Sequence, residues 1–177
     1  MNQYHINPDI TRAETLPAQF YRSQQVFEKL KENIFARCWH WLGQESDLVP
    51  RAKTTYPMVL LDDFLTEPVV VVKDDEDTTR CLSNVCTHRG NLVVHNPGER
   101  KELVCMYHGR RFGLDGILQH MPEFNETKDF PRPCDHLFEF PTAKLGDHLF
   151  IGLNPYFELS EVLIDICLLY TSDAADD

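Results

Sequence analysis

Two short stretches constrain this chain more than anything else in it: Cys86-Thr87-His88-Arg89-Gly90 and Cys105-Met106-Tyr107-His108-Gly109. Each pairs one thiol with one imidazole, and sixteen residues lie between His88 and Cys105. A Cys-x-His step puts both side chains on the same side of an extended segment. A Cys-x-x-His step lets a tight loop turn both toward one point. Gly90 and Gly109 allow unusual dihedrals and close backbone approach, so that amide N–H groups can point at sulfur. Two such loops facing each other make a four-ligand Cys₂His₂ pocket, and any fold for this chain has to bring them together.

The bulk properties limit the rest. At 177 residues, 42% hydrophobic and 25% charged, the chain can bury the core of one domain with an appended segment. That composition excludes disordered and fibrous classes. A formal net charge of −11 disfavours phosphate backbones and anionic lipid as partners, so neither nucleic acid nor a membrane is expected. No run reaches the roughly 18 apolar residues that span a bilayer. Met1-Asn2-Gln3-Tyr4-His5 has no basic stretch leading into an apolar one, so no secretory signal is expected and the cytoplasm is. In that reducing compartment the six cysteines read as metal ligands or buried thiols before disulfides.

Along the chain, Phe20, Val26, Phe27, Leu30, Ile34 and Phe35 recur at helical spacing, predicting a helical arm over 1–42 with its regular part from Pro17 to Leu42 and Ser23 as a cap. From Gly43 the texture becomes short strands: Tyr56 to Leu61, Val69 to Lys73, Arg80 to Ser83, Glu102 to Cys105 and His148 to Leu153. Turn residues separate them at Asp74 to Asp77 and Asn96 to Glu99, and Asp115-Gly116 reads as a tight hairpin turn. The proline-rich stretch 122–141 is expected to be an irregular surface loop. The predicted class is mainly β: an antiparallel sandwich over 43–155, carrying the two-loop subdomain, after the helical arm. Residues 156–166 read as the start of a further domain. The tail 167–177 resembles a translated sequencing adapter and is expected to take no part in the fold.

A Cys₂His₂ set can hold zinc. Zinc fingers, however, usually order a cysteine pair before a histidine pair, and here the types alternate. In a Rieske centre one iron takes two cysteines and the other two histidines, which suits loops that each give one of each. The pattern of Cys-x-His, a gap of about sixteen residues, and Cys-x-x-His resembles the Rieske signature. With Arg89-Gly90 after the first histidine and Tyr107 before the second, it is similar to the α subunit of the Rieske non-haem iron oxygenases, the aromatic-ring-hydroxylating dioxygenases. Leu16-Pro17, Phe20-Tyr21, Ile34-Phe35, Trp39 and Gly43 resemble that family's N-terminal segment, and Leu114-Asp115-Gly116 its hairpin, so the likeness covers most of 10–155.

The resemblance implies a [2Fe–2S] cluster held by Cys86, His88, Cys105 and His108, supported by Arg89, Gly90, Tyr107 and Gly109. It implies electrons from a reductase or ferredoxin, passed to a mononuclear Fe(II) in a C-terminal catalytic domain, usually across a trimer. None of His120, His136 and His148 falls in a close-spaced pair, so the chain as it stands is expected to carry an electron and not to hydroxylate. With neutral imidazoles the oxidised cluster has no net charge, which favours electron uptake. High-potential relatives add a disulfide at the places occupied here by Asn91 and Tyr107, so a low potential is expected. Arg110 departs from the tryptophan that many oxygenase α subunits carry there. The alternatives are a stand-alone Rieske ferredoxin, which typically lacks a long helical arm, and a zinc module. Cys38 and Cys81 are expected to be buried apolar residues, Cys134 a free thiol, and Trp39-His40-Trp41 packing residues.

Overall fold

The computed structural model describes residues 4–163. Helices α1 (Ala18–Arg22) and α2 (Gln24–Asn33) lead through a 3₁₀ turn, Phe35–Arg37, into β1 (Trp39–Gln44) and the short α3 (Glu45–Leu48). Ten strands follow: β2 (Thr54–Leu60), β3 (Glu67–Lys73), β4 (Thr79–Ser83), β5 (Gly98–Glu99), β6 (Leu103–Val104), β7 (Arg111–Phe112), β8 (Leu118–His120), β9 (Glu139–Phe140), β10 (Thr142–Leu145) and β11 (His148–Gly152). They form a five-stranded sheet in the order β5-β2-β3-β4-β9 and two three-stranded sheets, β1-β11-β10 and β6-β7-β8. Every pairing between these strands is antiparallel. Among the described residues no helix is long and apolar enough to cross a membrane.

The five-stranded sheet is a wall between two cores. Val69, Val70, Val71 and Val72 of β3 are all fully buried, as a continuous apolar run buried on both faces requires. Side chains alternate across a strand, so the four valines divide. Val69 and Val71, with Cys81, pack against Leu42, Leu149 and Ile151 of the β1-β11-β10 sheet. Val70 and Val72, with Leu82, pack against Cys86, Leu103, Cys105 and Phe112. Each buried valine, leucine or phenylalanine contributes about 1.5–3 kcal/mol. The second core therefore ties the two Cys/His loops to the sheet.

The five expected strands all form, within two residues of their anticipated ends. Ser23 caps α2, its hydroxyl accepting the Val26 N–H at 3.4 Å. Phe27 and Phe35 pack edge-on against Phe64 with centroids 5.0 and 4.7 Å away, which seats the helical arm on the β2–β3 turn. The helical pattern expected to reach Leu42 stops at Arg37, because Trp39 to Gln44 join β11 as a strand, Trp39 opposite Gly152 and Trp41 opposite Phe150. Aromatic residues suit such a half-buried ladder, and its partner lies more than a hundred residues away in sequence. Gly98-Glu99, expected as a turn, pair with Thr54-Thr55 as β5. The Asp115-Gly116 turn joins β7 to β8 with Gly116 at φ +80, and Asp115 accepts the Ile117 N–H at 3.0 Å. Cys38 is half-buried where full burial was expected, Cys81 is buried and Cys134 is an exposed free thiol. Residues 159–163 begin a helix. Residues 164–166 and the tail 167–177 lie outside the described residues.

Candidate metal centre

Both Cys/His loops are closed by the same pair of backbone hydrogen bonds. The Cys86 N–H donates to Asn91 O at 2.8 Å, and the Gly90 N–H donates back to Cys86 O at 3.0 Å. In the second loop the Cys105 N–H donates to Arg110 O at 2.9 Å, and Gly109 N–H to Cys105 O at 2.9 Å. The glycines sit at φ +71 and +72, the left-handed region other residues avoid. The two loops are thus one backbone motif used twice. The histidine is third in one and fourth in the other.

This geometry gathers the four side chains as two pairs. Cys86 and Cys105 are buried, at 3% and 2% exposure, in the same core. His88 and His108 lie toward the outside, ring centroids 4.8 Å apart at 70°. Among the described residues no three His, Cys, Asp or Glu side chains gather around a single ion. A pair of thiols beside a pair of imidazoles is the donor set that a two-iron cluster takes, with two protein ligands on each iron.

The electrostatics distinguish the members. Burial pushes the Cys86 thiol up. Cys105 is lowered: burial opposes ionisation, but it is outweighed by N–H donation from Tyr107, the hydrogen bond from Cys86, the Asn91 side chain and the His108 N–H. Cys105 is therefore the more readily ionised of the pair. His88 is held below the ordinary imidazole range, by burial first and then by the charges of His108, Arg110 and Arg89. A neutral imidazole is the form that binds metal.

Of the supporting residues expected from sequence, Gly90 and Gly109 close the loops, and Tyr107 lies against His108 with centroids 3.8 Å apart. Arg89 is exposed and reaches His88 through its charge. Sequence reasoning missed three partners. Asn91 donates toward the Cys105 sulfur, Nδ2 to Sγ at 3.8 Å. Thr87 donates to the Asp135 carbonyl at 2.7 Å, and Arg110 pairs with the Asp135 carboxylate at 3.2 Å. No local signal marks Asp135, which sits 25 residues beyond Arg110 in the proline-rich stretch. That stretch is not merely surface: Met121, Asp135 and Leu137 are buried, Phe130 packs on the second core, and Phe124 lies 6.5 Å from His88. A cleft of about 560 Å³ opens between this stretch and His88. His136 and His148 serve structure, accepting from the Leu118 N–H and the Trp41 indole.

The sequence model of the Rieske [2Fe–2S] domain matches residues 38–131, which include both loops. The chain belongs to the Rieske family. Its similarity to a carnitine monooxygenase oxygenase subunit of Escherichia coli (strain K12) is 30% identity over 144 residues, 81% of this chain and 37% of the relative. The large oxygenase component of a naphthalene 1,2-dioxygenase system of Pseudomonas aeruginosa is 35% identical over 105 residues, 56% of this chain and 21% of that one. Among solved structures, a quaternary ammonium Rieske monooxygenase superposes with a TM-score of 0.74 at 27% identity, over 84% of this chain and 40% of that chain. The chain thus spans well under half the length of these relatives. The cofactor of a Rieske domain is a [2Fe–2S] cluster, and the thiol and imidazole pairs have the chemistry to hold it.

Proposed function

We propose that Cys86 and Cys105 bind one iron of the cluster and His88 and His108 the other, and that the domain transfers single electrons for an oxygenase. Bound there, the cluster supplies a reversible one-electron store. The protein does the rest. Burial of the two sulfurs keeps water from them, and the N–H groups of His88, Tyr107 and His108 hold negative charge on sulfur. The imidazoles sit outermost, so His88 and His108 are the exit toward a partner. The carrying observation is the duplicated loop, which puts one thiol and one imidazole from each half side by side.

In this reading the parent protein is the oxygenase subunit of a Rieske oxygenase. A reductase or ferredoxin supplies electrons, and they pass to a mononuclear Fe(II) site in a separate catalytic domain, across the subunits of a trimer. The relatives supporting it are oxygenase subunits rather than ferredoxins, and the match to the carnitine monooxygenase subunit extends beyond the metal centre. Both monooxygenases and a dioxygenase occur among them.

Anaerobic reconstitution tests the assignment. The expected product is red-brown, with two irons and two acid-labile sulfides per chain, and His108→Ala or Cys105→Ala abolishes its visible absorption. A colourless protein holding about one zinc and no sulfide refutes it.

A further inference from the structure

Arg110 is a full positive charge inside an apolar core. Its side chain is 3% exposed, and it follows Gly109 directly in the second ligand loop. Nη1 donates to Thr87 Oγ1 at 2.5 Å, and Nη2 pairs with Asp135 Oδ1 at 3.2 Å. Thr87 Oγ1 in turn donates to the Asp135 backbone carbonyl at 2.7 Å. The guanidinium lies over the Phe130 ring, 5.6 Å from its centroid, and Nε has no hydrogen-bond partner among the described residues. Asp135 is also held from its other side, its Oδ2 accepting the Arg132 N–H at 2.9 Å.

Packing does not call for this arrangement. Well-packed apolar side chains often replace a buried ion pair with no loss of stability, whereas removing one partner is costly. The specific feature of Arg110 is its reach. Thr87 stands between Cys86 and His88, so one planar fork connects the first ligand loop, the second and the Pro133–Asp135 turn. Its charge also acts on both Cys86 and His88. An electron added beside a fixed positive charge is stabilised, and low surrounding dielectric strengthens the effect.

We propose that Arg110, held by Thr87 and Asp135, is a positioning residue for the metal centre: it fixes the separation of the two ligand loops and holds a positive charge beside them that favours the reduced cluster. This rests on the ligand assignment proposed above. The electron comes from an external donor, no bond forms or breaks, and the network only sets how favourable the uptake is.

The test uses the whole chain reconstituted with iron and sulfide, titrated with dithionite for its midpoint potential and challenged with a ferrous chelator for iron release. Arg110→Met lowers electron affinity about tenfold, a 59 mV fall for one electron. Asp135→Asn moves the potential the opposite way, because Arg110 loses its counter-charge. Arg110→Lys keeps the charge without the fork, so it leaves the potential within half of the Met shift and speeds iron release. A purely structural clamp gives the Met and Asn variants shifts of the same sign, or none, and that result overturns the proposal. Should Arg110→Met hold no cluster, the other two decide: Asp135→Asn without a rise, or Arg110→Lys with wild-type iron release, overturns it. A wild type without two irons and two sulfides overturns this proposal and the ligand assignment together. A loaded wild type with unshifted variants overturns this one alone.

Discussion

The side-chain nitrogen of Asn91 lies 3.8 Å from the sulfur of Cys105, so a donor on the first Cys/His loop is aimed at the thiol of the second. Asn91 also closes its own loop, its backbone carbonyl accepting the Cys86 N–H. Donation to sulfur stabilises the electron-rich state of an iron–sulfur centre and raises its potential. Asn91→Ala is expected to lower the midpoint by roughly 40 mV, about 1 kcal/mol on one electron, with iron content unchanged. An unaltered potential contradicts the role. The wild-type centre should lie near the bottom of the roughly −150 to +300 mV range of Rieske proteins. The positions of Asn91 and Tyr107 offer no sulfur for a disulfide between the loops.

The loop glycines make a matched pair for mutation. A Cβ at Gly90 meets nothing within 4 Å, while at Gly109 it meets Pro122 Cγ at 3.3 Å. Gly90→Ala should cost about 1 kcal/mol, the strain of its left-handed φ alone. Gly109→Ala adds displacement of Pro122 and should cost about 2 kcal/mol or more. Urea denaturation of the two variants side by side measures the difference, and equal losses argue against the contact.

Val70 and Val71 are both fully buried and face opposite cores. Truncation of either to alanine is expected to cost about 2 kcal/mol. Only Val70→Ala loosens the core that holds Cys86 and Cys105, so only it should speed iron release to a chelator. Identical release rates for the two variants would show that the sheet does not separate the cores mechanically.

Acid should unfold the protein through two carboxylates. Asp135 is held below its ordinary value chiefly by the Arg132 N–H, and then by the Arg132 and Arg110 side chains. Burial pushes Glu45 up, but Lys144, Thr79 and Lys73 outweigh it, so Glu45 is lowered too. A folded pKa below the unfolded one gives stability that is complete above the ordinary values of 3.8 and 4.5 and is lost as pH falls through the lowered ones. Tm should therefore hold to about pH 5 and drop steeply below pH 4. Glu45→Gln should make that drop shallower, and an unchanged acid limb in this variant would remove Glu45 from the account.

The readable parts of the sequence were those set by near neighbours. The two five-residue loops, each closing on a glycine, the α2 helix with its Ser23 cap, the Asp115-Gly116 turn and the apolar run of β3 all depend on contacts within a few residues. Tertiary structure alone decided the pairing of β1 with β11, the two-sided burial of β3, and the reach of Arg110 to Thr87 and Asp135 and of Asn91 to Cys105. Trp39 to Trp41 were read as helix because periodicity counts only neighbours, while the Gly152 and Phe150 that hold them extended are more than a hundred residues away. A backbone dihedral or a cap is a local energy and leaves a local pattern. A cross-strand pair or a buried ion pair joins distant segments, and its energy exists only once the chain has brought them together.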